Sequence, residues 1–151
     1  MQIAKQFTVN APQSTVWRFI TSPHEVAACI PGCDSVEVVG EGTYRAAITM
    51  KVGPIKTTFH LTITTTEERP PEFAAYRTQG EEGGKASRLN ATSTLTLEAI
   101  DDASCSVAYV SDIAIAGRLG KFGAGVMKKI ADKEGEKFAA ALRDNINTFD
   151  G

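Results

Sequence analysis

Few side chains here could do covalent or acid–base chemistry. Two histidines, His24 and His60, lie far apart, and three cysteines, Cys29, Cys33 and Cys105, include no C-x-x-C pair. No H-E-x-x-H, G-x-S-x-G or phosphate-loop pattern occurs, so metal-assisted hydrolysis and acyl transfer have no visible apparatus. His60 sits between Phe59 and Leu61 in the polar phase of an alternating segment and reads as solvent-facing, while His24, beside Glu25 at a helix entrance, reads as a cap. The cysteines read as small buried thiols of a reducing compartment. Gly117, Gly120, Gly123 and Gly125 follow a strand and open a helix, but their spacing is not G-x-G-x-x-G and no further strand follows, which argues against a dinucleotide site. Each glycine costs a helix about 1 kcal/mol against alanine, so a close backbone approach or a movable hinge is the better reason for the cluster.

Charge is spread unevenly. Between Arg118 and Arg143 seven basic residues face three acidic ones, in a chain whose formal net charge is -2. Lys121, Lys128, Lys129 and Lys133 form a candidate docking patch for an anionic lipid surface or an acidic partner. The overall acidity argues against general nucleic-acid binding.

The elements that must position these groups follow from periodicity. Met1 to Val9 alternates and predicts a strand; Pro12 opens a short helix ending before Pro23, and His24 to Cys29 predicts a second, stopped at Pro31-Gly32. Six strands follow, over Val36–Val39, Tyr44–Val52, Phe59–Thr64, Phe73–Gln79, Leu89–Ile100 and Cys105–Ile115, with Gly80 to Lys85 read as a loop. Leu119, Phe122, Val126, Ile130, Phe138, Ala141, Leu142 and Ile146 then form one stripe of a long helix. The order predicts an α+β fold in which an antiparallel sheet buries one face against the closing helix, as one domain over 1–151. Met1–Val9 lacks the apolar stretch of a signal peptide, and no apolar run exceeds the length of Val26–Ile30, far below the roughly 18 to 20 residues of a membrane span. The expected location is cytoplasmic, and the Asn90-Ala91-Thr92 sequon is taken as chance.

Four segments carry a family resemblance: F-T-V-N-A-P-Q-S-T-V-W at Phe7–Trp17, C-I-P-G-C at Cys29–Cys33, K-V-G-P-I at Lys51–Ile55 and A-G-R-L-G-K-F-G at Ala116–Gly123. Together they resemble the carbon monoxide dehydrogenase G-subunit family of the START-like (SRPBCC), helix-grip superfamily. The resemblance implies a curved seven-stranded antiparallel sheet gripping the C-terminal helix around an apolar cavity. It also implies an accessory protein for molybdenum hydroxylases, acting in membrane attachment or electron delivery. Members with the attachment role often carry a C-terminal extension. This sequence ends at Gly151 directly after the helix, so a peripheral contact on the inner membrane face is expected rather than a tail anchor.

Placed in that fold, the inward phase assigns Ile48, Met50, Phe59, Leu61, Ile63 and Leu95 to the sheet wall and Phe122, Val126, Met127 and Ile130 to the helix wall. Small inward residues, Ala46, Ala91 and Ser93, leave room beneath the helix. With no charge in that set, the expected ligand is apolar and elongated, an isoprenoid quinone or a lipid, with no covalently bound cofactor and no metal. Ile30, Pro31 and Gly32 are expected at an exposed rim facing the partner enzyme, and Gly117, Gly120 and Gly123 at a gate. Two other readings stand beside the carrier: a cyclase or hydrolase-like enzyme using the same cavity, and an interaction module with a filled core.

Overall fold

Strand β1 (Gln2–Val9) alternates as its sequence dictates, with Ile3 and Val9 buried and Gln2, Gln6 and Thr8 facing the other way. Helix α1 (Gln13–Ile20) begins just after Pro12, whose fixed φ suits a helix entrance, and buries Val16, Trp17 and Phe19. Helix α2 (Pro23–Cys29) carries Pro23 in its first turn and ends at Ile30. The expected His24 cap is not made: Ser22 occupies the N-cap position, without a side-chain cap bond, and His24 is exposed. In this computed structural model residues 1–149 are described, without the side chains of Lys85 and Ala124; Asp150 and Gly151 of the expected domain lie outside the described residues.

Six strands follow: β2 (Cys33–Gly40), β3 (Thr43–Val52), β4 (Ile55–Arg69), β5 (Phe73–Glu82), β6 (Ser87–Asp101) and β7 (Ser104–Gly117). They form with β1 one seven-stranded antiparallel sheet in the order β1-β7-β6-β5-β4-β3-β2, so the chain's first strand closes one edge and β2 the other. Register shifts in β2/β3, β4/β5 and β6/β7 mark bulges, the device by which long strands bend. A 3-10 turn (Arg118–Phe122) leads from β7 into helix α3 (Gly123–Ile146), which lies over the concave face.

Three expectations need correction here. The segment read as a loop from Gly80 is strand up to Glu82, because Gly80 and Glu82 keep the alternation and both are buried. The stripe from Leu119 to Ile146 is not one helix, because positive φ at Gly117 and Gly123 brackets a separate 3-10 turn holding Leu119 and Phe122. Cys29 and Cys105 are buried as expected, but Cys33 is only half-buried, since it opens the edge strand β2.

The core is divided in two. A larger cluster joins Val9, Val16, Trp17, Phe19, Leu95, Leu97, Val107, Leu142 and Ile146 under α1 and the end of α3. A smaller one joins Val52, Phe59, Leu119 and Met127 where α3 begins, with Met50, Leu61, Phe122 and Ile130 packed against it.

Candidate functional site

Alternate side chains of each strand face the helix, and the register aligns them in rows across the sheet. The row Ala46, Leu61, Gly80, Leu89, Ile115 belongs to the end of the smaller cluster, and the row Ala74, Leu95, Tyr109 to that of the larger. Between them run two rows of different character: Tyr44, Ile63, Thr78, Ala91, Ile113, and then Thr65, Tyr76, Ser93, Ser111. The residues named in these two rows are only half-buried, whereas Ile3, which pairs with Ser111 and closes the second row on β1, is buried. Helix α3 repeats the pattern on its inner face, where Met127 and Leu142 are buried but Ile130, Ala131 and Glu134 between them are half-buried. Native cores interdigitate with few voids. Accessible surface on inward-facing side chains of both walls therefore marks a shallow groove between sheet and helix.

Of the residues expected to line an apolar wall, Phe59, Leu95 and Met127 are buried, and Ile48, Met50, Leu61, Ile63, Phe122 and Ile130 are half-buried. Leu95 packs in the larger cluster, so it belongs to the filled end and not to the groove floor. Val126 is a correction: it is 42% exposed, because it precedes Met127 by one residue and so lies about 100° round the helix from the buried stripe. Phe122 projects from the 3-10 turn onto the β3–β4 connection, where a Cβ on Gly53 would come within 3.1 Å of its ring. The V-G-P and late glycine segments, distant in sequence, thus meet at one end of the groove.

The expected rim and gate residues carry structural duties. Gly32 has φ +77 and its carbonyl accepts the Thr49 N–H at 2.8 Å, so it extends the pairing of β2 with β3, and a side chain there would collide with the Thr49 carbonyl. Of the expected rim, Gly32 is exposed while Ile30 and Pro31 are half-buried. Gly117 passes directly over Ala86 and Ser87, and a Cβ on Gly120 would lie 2.8 Å from the Ile115 carbonyl. These two glycines serve close approach. Gly123 is exposed, with φ +83 and nothing near its Cβ position.

A charge-free interior is also corrected. Continuation of β5 brings Glu82 inward beside Phe59, where it is 1% exposed. Arg118 from the 3-10 turn pairs with both carboxylate oxygens, and the Thr57 hydroxyl donates to one of them at 2.6 Å. Ser87, next to this cluster, accepts the Leu119 N–H at 3.0 Å. The Arg118 hydrogen bonds hold the Glu82 carboxyl at about 2, against the opposing effect of burial and with help from Thr57 and Ser87. Farther along, Lys5 faces α3 and lies 3.6 Å from Asp132, and a Cβ on Gly135 would lie 2.6 Å from the Tyr109 hydroxyl. Glycine lets the helix approach β7 there.

Hydroxyls are the groups that sequence reasoning misses. Ser93 and Ser111 bond each other at 2.9 Å across β6 and β7. Tyr76 stands beside Ser93, and burial first, then Tyr44 and Glu68, push its phenol up to about 12. The shared inward phase of Tyr44, Tyr76, Ser93, Ser111 and Tyr109 is the signal that could have found them.

His60 is exposed as expected and joins Ser35, Glu37, Arg45, Ala47 and Thr62 of the outward phase, with Ala46 and Leu61 of the inward phase, around a depression of about 320 Å³. Lys121, Lys128, Lys129 and Lys133 are exposed and make no ion pair among the described residues, whereas Arg118 is held by Glu82, Lys137 lies 3.7 Å from Glu134, and Arg143 donates to the Thr8 carbonyl. No helix among the described residues is long and apolar enough to cross a membrane.

A curved antiparallel sheet closed by one long helix, with two short helices between its first two strands, defines a START-like, helix-grip protein. The chain belongs to the CoxG family, that of the carbon monoxide dehydrogenase G-subunit, whose model matches residues 6–147. Among solved structures it is similar to a conserved protein from Geobacillus kaustophilus (TM-score 0.90, 22% identity, covering 98% of this chain and 96% of that one). It is also similar to a START superfamily protein from Mycobacterium smegmatis (TM-score 0.73, 11% identity, 97% of each chain). A third is the Zhui aromatase/cyclase from Streptomyces sp. R1128 (TM-score 0.64, 16% identity, 97% of this chain and 90% of that one). At these identities the likeness shows the fold alone. No curated protein matches the sequence.

Proposed function

We propose that this protein is a non-enzymatic carrier that holds an apolar, elongated ligand, an isoprenoid quinone or a lipid, in the groove between α3 and the sheet. The observation that supports this reading is the layer of half-buried, inward-facing side chains between two packed clusters. A loosely packed layer forfeits dispersion contacts, and an apolar chain lying against it recovers about 25 cal/mol per Å² of apolar surface removed from water. Membership of the CoxG family supports a molybdenum hydroxylase of the carbon monoxide dehydrogenase type as the partner. Lys121, Lys128, Lys129 and Lys133, with exposed Val126 among them, supply a basic surface beside the groove's end for peripheral contact with an anionic membrane on its cytoplasmic side.

Native mass spectrometry and lipid extraction of protein purified from its own host test the carrier. A retained prenyl-quinone or lipid is the expected result, and reproducibly ligand-free protein overturns it. The likeness to an aromatase/cyclase motivates one control: chemical conversion of the retained molecule by the purified protein would assign an enzyme instead.

A further inference from the structure

The two outer strands of the sheet are treated differently by the rest of the chain. Helix α3 reaches over β1, where Arg143 donates to the Thr8 carbonyl at 3.0 Å and Asp132 lies 3.6 Å from Lys5. Strand β2 pairs on one side with β3 and has no strand on the other. We propose that this free edge of β2, at Val36–Val38, is a docking site for an extended segment of a partner polypeptide. The segment adds as a further strand, with apolar residues beside the valines and a basic residue beside Glu37. The site lies outside the groove and does not depend on what the groove holds.

Which backbone groups are free follows from the register. Thr49 turns its N–H toward β2, where the Gly32 carbonyl accepts it at 2.8 Å. Bonded and non-bonded pairs alternate in an antiparallel ladder, so Ala47 and Arg45 also point to β2 and bond their partners Ser35 and Glu37. The N–H and C=O groups of Val36 and Val38 therefore point the other way, out of the sheet edge. No backbone hydrogen bond outside the ladder reaches them among the described residues. A row of this kind is what an added strand satisfies.

The side chains along the edge define the segment that fits. Natural edges are blunted by lysine, proline or bulges. Here bulges bracket the run at Cys33/Ser35 and Val38/Gly40, but the regular stretch Ser35–Val38 between them carries neither lysine nor proline. Val38 is 53% exposed and its neighbour Val39 41%. Val36 and Val38 share the inward face with Ala46 and Tyr44, so the apolar residues of an added strand lie on that face. Glu37 lies on the opposite face, between Asp34 and Glu41 along the chain, and makes no ion pair among the described residues. Arg45, its cross-strand neighbour, stands one strand farther from the newcomer. Ser35 and Glu37 border the depression of about 320 Å³, which gives a long basic side chain room beside that carboxylate. A second copy fits less well. Two-fold antiparallel pairing that sets Val36 against Val38 places Glu37 opposite its own counterpart, and like charges directly opposite destabilise.

The test uses the isotope-labelled full chain and an acetylated, amidated heptapeptide of sequence TVKVKVT, with TVEVEVT as its acidic counterpart. Without peptide, the Val36 and Val38 amides should exchange with solvent faster than those of Ser35 and Glu37. Saturating TVKVKVT should slow them about tenfold and leave exposed amides elsewhere unchanged. The basic peptide should bind about threefold more tightly than the acidic one, and Glu37→Lys, at an exposed position, should reverse that order. Val38→Lys, which puts a charge on the edge, should abolish the protection at Val36. Circular dichroism checks folding of both variants, and if Val38→Lys folds poorly the reversal in Glu37→Lys carries the test. Peptide binding that leaves Val36 and Val38 unprotected overturns the docking site, as does failure of both peptides to bind. Equal affinity for the two peptides overturns the basic segment. Protection that appears without peptide and grows with protein concentration, with a doubled mass in light scattering, overturns the partner in favour of a second copy. None of these readouts depends on a retained ligand, so the carrier reading stands or fails separately.

Discussion

The end of the concave face under α1 and the middle of that face are built from the same sheet and the same helix, yet the end is filled and the middle keeps accessible surface. Under α1, Phe19 is fully buried and meets the Phe149 ring edge-on at 5.2 Å, with Leu97, Val107 and Leu142 around it in the larger cluster. Along the middle rows Tyr44, Ile63, Tyr76 and Ile113 stand beside the smaller Thr78, Ala91, Ser93 and Ser111, and all of them keep some exposure. The difference lies in the partners overhead, α1 and the end of α3 in one region and the half-buried Ile130, Ala131 and Glu134 in the other. The fold stores its stability where two short helices and the helix end supply large side chains, and it leaves the centre available.

The largest expected effect breaks the filled end. Phe19→Ala removes a fully buried ring and should cost about 3 to 5 kcal/mol in urea unfolding. Ile63→Ala, in the half-buried row, should cost well under half as much, because less of the side chain is withdrawn from water. Equal losses would mean that both regions are packed alike.

Next comes the ionic cluster where the groove ends. Glu82 has a folded-state value of about 2, below the roughly 4.3 of a free glutamate, so it stabilises the fold above the unfolded value and loses that contribution as pH falls through the window from about 4.3 to 2. Glu82→Gln should therefore flatten the acid side of the stability profile, measured by urea melts between pH 5 and pH 2 in steps of about half a unit. Arg118→Ala leaves the buried carboxylate with its hydroxyl partners only, and should lower the urea midpoint at neutral pH.

How much of this the sequence discloses depends on what kind of signal each feature leaves. Strand phase is legible because alternation is local: Ile48, Phe59 and Leu61 share the inward phase in the register as they do in the sequence. Glu82 is not legible as an inward group, since Gly80, Gly83 and Gly84 suggest a turn and only cross-strand pairing shows that β5 continues. Val126 fails for a related reason. Counting the stripe through Leu119 and Phe122 treats them as α-helical, whereas the helical register starts afresh at Gly123. The inward hydroxyls come from several strands, and each looks like an ordinary polar interruption until the register aligns them.

A smaller effect sharpens the comparison from the opposite direction, by adding volume. Ala74 is fully buried at the filled end, so Ala74→Leu should cost about 1 to 3 kcal/mol by overpacking. Ala91 faces the half-filled row, so Ala91→Leu should change stability by less than about 1 kcal/mol while excluding the ligand. Thermal melts of the two variants, with decylbenzoquinone binding beside them, check both halves of the expectation. A large destabilisation at Ala91 would show that the middle rows are already full.

The smallest effect concerns the start of α3, where the groove's apolar end meets the glycine segment. Gly120→Ala and Gly123→Ala are poor probes of mobility, the first because it presses on the Ile115 carbonyl and the second because φ +83 strains any other residue. Gly125 is exposed within the helix, with nothing near its Cβ position and no positive φ. Gly125→Ala should therefore fold normally and gain about 0.5 kcal/mol, mainly by restricting the unfolded chain. The same substitution reduces fraying of the first helical turn, and so separates a gate from a fixed wall. If ligand passes this end, stopped-flow exchange of decylbenzoquinone should slow in both directions with little change in affinity. Unchanged rates in a variant shown to be more stable would place entry elsewhere along the groove and leave Gly117 and Gly120 with close packing as their role.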